Sequence, residues 1–90
     1  MTTRSEIRSW LGDAKRRGAT HMLVVVDDFS LEDYPVDIMP GEDPRTVGRR
    51  VGRMQRVMEC YALHLPLEAQ VQERLALHYE SAPKPAPAGE

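Results

Sequence analysis

The sequence predicts a small α+β domain: an antiparallel sheet of about three strands in the element order αββαβα, with two or three helices packed on one face. Three observations predict it. A capped amphipathic helix pattern opens the chain. Two short β-branched segments follow, too close in sequence for a crossover. A Pro-initiated helical stripe precedes a Pro/Ala-rich end. At 90 residues the expectation is one domain, residues 1–80, followed by a disordered tail, residues 81–90.

Each element has a local cause. Thr3 and Glu6 have capping-box spacing, in which each side chain satisfies the other residue's backbone N–H. Ile7, Trp10, Leu11 and Ala14 then recur on one face, so Trp10 is expected in the core. Lys15, Arg16 and Arg17 suit the last turn, and Gly18 suits the left-handed conformation that ends a helix. The helix is predicted over 4–17. Thr20 to Asp27 is continuously apolar and β-branched, as in a central strand covered on both faces or at an interface. Asp28 to Asp33 reads as a turn and Tyr34 to Met39 as a second strand, with Pro35 suited to an edge. The short connection makes the pair antiparallel.

Asp43 and Pro44 mark a second helix start, as N-cap and N1. Val47 and Val51 lie one turn apart on it, while Gly48 and Gly52 weaken it by about 1 kcal/mol each relative to Ala, so it should be short. Residues 54–65 fit a strand and a helix about equally well. A lone hairpin is marginal, which favours a third strand. Pro66 is expected at N1 of a last helix, with Leu67, Val71, Leu75 and Tyr79 as its apolar stripe and Gln70 among its outer residues. A domain this small buries only about 60% of its unfolded surface, so sharing a bare sheet face or edge with a second copy is expected, most simply as a homodimer.

Composition bounds the function. With 12 Lys+Arg against 14 Asp+Glu, the net charge of −2 argues against a general polyanion binder, so nucleic acid is not an expected partner. No apolar run approaches the roughly 18 residues of a membrane helix, and no signal-peptide core opens the chain, so a cytoplasmic location is expected. A single cysteine, Cys60, excludes an intrachain disulfide and a Cys-rich zinc site.

Charge is segregated. Residues 27–43 hold Asp27, Asp28, Glu32, Asp33, Asp37, Glu42 and Asp43 with no base, and residues 44–56 hold Arg45, Arg49, Arg50, Arg53 and Arg56 with no acid. The plain reading is two solvated faces that attract one another. The acidic hairpin, with Asp28, Glu32, Asp33 and Tyr34, is the candidate surface for a protein partner. Asp27, Asp28, Glu32 and Asp33 also offer oxygen ligands to a hard cation such as Mg²⁺ or Ca²⁺, although the spacing matches no EF-hand. Arg45, Arg49 and Arg53 are spaced four apart, and with Arg56 they suit a phosphorylated small molecule, because guanidinium forks donate paired hydrogen bonds to phosphate. The Asp43-Pro44 helix start would add N–H groups for an anion.

Catalytic signatures are thin. His21, His64 and His78 belong to no metal or catalytic pattern. Cys60 and His64 on a strand would stand about 13 Å apart, and Cys60 reads as a small core residue. No cofactor is expected.

The run from Gly18 to Phe29 (GATHMLVVVDDF), the Glu32-Asp33-Tyr34-Pro35-Val36 segment, Pro40-Gly41-Glu42-Asp43 and Met54-Gln55-Arg56-Val57-Met58-Glu59 together resemble a family of small uncharacterised proteins associated with bacteriophages and prophage regions. The resemblance spans about residues 5–79 and implies a strand from Met54. It carries no catalytic assignment. What it implies is action by binding, through blockade of a host protein or sequestration of a small nucleotide signal, as in counter-defence. The leading expectation is therefore a non-enzymatic binding protein. The alternatives are an oligomeric phosphate-ligand sponge and a metal-dependent enzyme of the Asp-rich hairpin.

Overall fold

A computed structural model describes residues 2–81. The elements are α1 (Arg4–Arg16), β1 (His21–Asp27), β2 (Asp33–Ile38), α2 (Pro44–Arg49), β3 (Gln55–Ala62) and α3 (Leu67–Glu73). The three strands form one antiparallel sheet in the order β2-β1-β3. The α+β class, the αββαβα order and a strand at β3 agree with the sequence expectation. The expected tail over 81–90 lies outside the described residues, apart from Ser81.

Local signals produce the first element as expected. The Thr3–Glu6 capping box is formed, and Gly18 has φ 81°. Ile7, Leu11 and Ala14 are buried by α1, while Trp10 only flanks the cluster, half-buried. β1 is central, and its first six residues are all buried. Met22 and Val24 face α1 and α3, together with Tyr61 and Val71. Leu23 and Val25 face the opposite side, with Ile38, Cys60 and the flanking Val47, Val51 and Val57.

The second face is where the expectation needs correction. Two helices, α1 and α3, share one face, but α2 covers the other. Its Val47 packs on the Leu23 and Val25 side of the sheet. A Cβ on Gly48 would come within 3.2 Å of Val57 Cγ2, so glycine lets α2 lie close to β3. Because both faces are covered within one chain, the case for a second copy on a bare face loses its premise, and among the described residues the β2 edge remains.

That edge is blunted. The Asp27 N–H donates to the Glu32 carbonyl at 2.9 Å, across a directly opposed pair. Bonded and non-bonded pairs alternate along an antiparallel ladder. Tyr34 and Val36 therefore turn their backbone groups to β1, and Pro35 turns its nitrogen to the open edge. The missing N–H falls where a neighbouring strand would need a donor.

On β3 the register passes from Val24↔Glu59 to Val25↔Val57, so Met58 is the extra residue of a β-bulge. The bulge brings Val57 and Cys60, three residues apart, onto the same face. It also turns Glu59, 1% exposed, toward the α3 side. There Glu59 accepts from the Arg74 guanidinium (Nη2–Oε2 3.1 Å, Nε–Oε1 3.3 Å), from the Leu75 N–H at 3.2 Å and from the Tyr61 hydroxyl. Arg74 Nη1 also donates to the Thr2 carbonyl at 2.9 Å, tying in the N-terminus.

The last helix ends earlier than its apolar spacing implies. Pro66 is the N-cap, and the helix stops at Glu73 because Arg74 and Leu75 both adopt positive φ (54° and 52°). The chain reverses and runs along the outer edge of β3, where the Cys60 N–H donates to Ala76 O and the His78 N–H donates to Cys60 O. Leu75, 68% exposed, and Tyr79 therefore leave the expected stripe, and Tyr79 joins the α2 face. Gln70, expected outside, is buried. Its amide bonds the Ala62 N–H and carbonyl at 2.8 and 2.9 Å, capping the end of β3.

Candidate functional site

The acidic and basic segments meet at one point among the described residues. The Arg56 guanidinium contacts Asp28 at 2.8 Å. The other acids are engaged locally or elsewhere. Asp27 Oδ1 accepts from the Phe29 and Ser30 N–H groups and shapes the turn. Asp33 accepts from the Thr2 hydroxyl at 2.5 Å. Asp37 pairs with Arg17 at 2.5 Å. Asp43 caps α2 through the Arg45 N–H, and Glu42 accepts from the Met39 N–H. Asp27, Asp28 and Asp33 thus each have separate duties, and among the described residues no group of three or more His, Cys, Asp or Glu gathers into a ligand set.

Of the four residues expected to meet a protein partner, Glu32 is the one left fully exposed. Asp28 is ion-paired, Asp33 is half-buried on Thr2, and Tyr34 packs on the edge of the Leu23–Val25 cluster. The hairpin tip carries two residues that the sequence reading treated as ordinary turn residues. Phe29 is 86% exposed and Leu31 74% exposed. Leu31 has φ 61°, and its N–H donates to the Asp27 carbonyl at 2.7 Å. The turn therefore fixes the backbone while leaving both apolar side chains in water. Their only signal in the sequence was their presence among acids in a turn.

The basic side forms a groove. α2 ends at Arg49, so Arg53 lies beyond it and does not extend the stripe; Arg45 and Arg49 remain, one turn apart. The helix start offers no anion site, since it is one short turn and a half with the Asp43 carboxylate on its end. Arg45, Arg49 and Arg56 instead rim an open groove of about 400 Å³ whose floor includes Val51, Val57 and Tyr79. The Arg45 guanidinium lies 4.8 Å from the Tyr79 ring centroid, a cation–π contact. Burial pushes the Tyr79 hydroxyl above its ordinary range. Among the described residues neither Arg45 nor Arg49 has a carboxylate within ion-pairing distance. Arg49 has only a long contact, 3.4 Å, to the Thr46 hydroxyl.

Several other titratable groups are engaged within the fold. Burial, with a smaller effect of the Glu80 charge, pushes the Cys60 thiol up to about 12, and the thiol donates to the His78 carbonyl at 3.2 Å. That is the state of an inert buried thiol. Burial and the Glu59 hydrogen bond raise the Tyr61 hydroxyl. His21 is buried, bonds the Glu80 carbonyl at 2.7 Å and meets the His64 ring edge to face at 5.7 Å. His78 contacts Glu73 at 3.0 Å. Among the described residues no helix is long and apolar enough to cross a membrane. No family model, curated protein or solved structure matches the chain.

Proposed function

We propose that this protein is a non-enzymatic binding protein that docks a protein partner through the tip of its β1–β2 hairpin. The observation that carries this reading is the exposure of Phe29 and Leu31 on a turn whose backbone is fixed by Asp27. Apolar side chains presented on a fixed backbone are ready anchors, since little backbone entropy is lost when they dock. The neighbouring acids, Glu32 above all, define the partner's chemistry: an apolar pocket with a basic rim. The same acids oppose docking on an anionic lipid surface.

The test is affinity capture from the cell's own extract with the wild type and two single variants, Phe29→Ser and Glu32→Lys. Both side chains are exposed, so both variants should melt as the wild type does. The expected result is one protein retained by the wild type and lost from each variant. Retention of the same proteins by all three, or capture of none, removes the reading.

A further inference from the structure

The Arg45–Arg49–Arg56 groove lies on the α2 face of the sheet, and its chemistry differs from that of the hairpin tip. We propose that it binds a small phosphorylated molecule with a planar apolar body, of nucleoside-monophosphate size. Three features converge. The guanidiniums of Arg45 and Arg49 lie at the groove with no carboxylate partner among the described residues. Two such groups, one helical turn apart, match the oxygens of a phosphate. The Asp28–Arg56 pair holds the third arginine at the rim, so the anion meets two guanidiniums without a carboxylate partner among the described residues and one partly neutralised one.

The floor is the second feature. Val51, Val57 and the Tyr79 ring are apolar and only half-buried. They offer a surface against which a flat ring loses water, and the Arg45 guanidinium is held over the Tyr79 ring beside the two valines. Size is the third. A volume of about 400 Å³ falls in the range of small-molecule sites, roughly 300–1,000 Å³. A bare phosphate would leave the apolar floor wet. The groove is built from three separate parts of the chain, α2, β3 and the returning segment at Tyr79, so the complete fold positions it.

Isothermal titration calorimetry of the full chain with the four ribonucleoside 5′-monophosphates, inorganic phosphate and adenosine tests this. At least one monophosphate should bind about tenfold or more tightly than either inorganic phosphate or adenosine. Arg45→Gln and Arg49→Gln should each weaken that monophosphate about tenfold, the loss expected when a charge-assisted hydrogen bond is removed. Both residues are exposed, so unchanged urea midpoints in the variants establish that the fold is intact. Lys15→Gln, on the exposed side of α1 and across the sheet from the groove, should bind as the wild type does. No binding of any monophosphate, equal affinity for inorganic phosphate or for adenosine, or wild-type affinity in the two arginine variants overturns the proposal.

Discussion

Replacing Arg74 with Met isolates the buried charge pair on which the α3 side of the fold depends. Glu59 is 1% exposed and takes two hydrogen bonds from Arg74. Removing one partner of a buried pair costs about 3–5 kcal/mol, because the remaining charge stays in a poorly solvating site. The lower end applies here. The Arg74 side chain keeps 20% exposure, and Glu59 retains the Leu75 N–H and Tyr61 hydroxyl as donors. Met and Arg have similar reach and both are non-glycine, so the cost of φ 54° at this position is unchanged. The expected loss is about 3 kcal/mol, against a total stability of roughly 5–15 kcal/mol for a single domain. In a domain this small, that corresponds to a fall in Tm of about 12–24 °C. Urea unfolding followed by circular dichroism measures the loss. The double variant Glu59→Gln with Arg74→Met should recover most of it, since the charge left behind is gone while an amide oxygen still accepts from the Leu75 N–H and the Tyr61 hydroxyl. A loss under about 1 kcal/mol in the single variant, or a double variant no more stable than the single, would refute the assignment of this pair as a coupled buried unit.

Three further outcomes follow from the same structure. Cys60, with its thiol pushed up to about 12 by burial, should resist a thiol-specific disulfide reagent at pH 8 and react only as the chain unfolds in urea; rapid reaction of the native protein would contradict its burial. Glu68 is held low, at about 2, by hydrogen bonds from Arg8 and Gln72. A depressed carboxyl stabilises the fold above its unfolded pKa and loses that contribution as pH falls through its folded one, so Arg8→Gln should raise the Glu68 titration midpoint seen by NMR, while an unmoved midpoint would deny the Arg8 contact. Pro35→Thr should restore an N–H at the open β2 edge and increase self-association in sedimentation at high concentration, and an unchanged sedimentation coefficient would place that N–H elsewhere.

Legibility in the sequence tracked the range of the interactions involved. α1, with its cap, stripe and terminating Gly18, is written in contiguous residues and formed as expected. β1 is an unbroken apolar run because both its faces are covered, and that too is local information. The sequence could not assign α2 to a face, because its two valines fit either side of the sheet equally well. Glu59 and Gln70 look like ordinary surface residues, and their burial depends on partners brought to them by the fold: Arg74, fifteen residues away, and the backbone of Ala62. The end of α3 was hidden because Arg74 and Leu75 adopt positive φ without any glycine to announce it. The groove shows both cases. Its arginines were visible as a charge run, whereas the Tyr79 ring opposite them is placed by a chain reversal that residue spacing does not encode.

The return of residues 76–79 along β3 also fixes an order of events during synthesis. Tyr79 is contributed by nearly the last described part of the chain, whereas Arg45 and Arg49 are made some thirty residues earlier. A chain made only as far as β3 therefore has the groove's arginines but lacks its aromatic wall. The groove is complete only once residues 76–79 have packed along β3, later than the hairpin tip, whose turn residues are made far upstream.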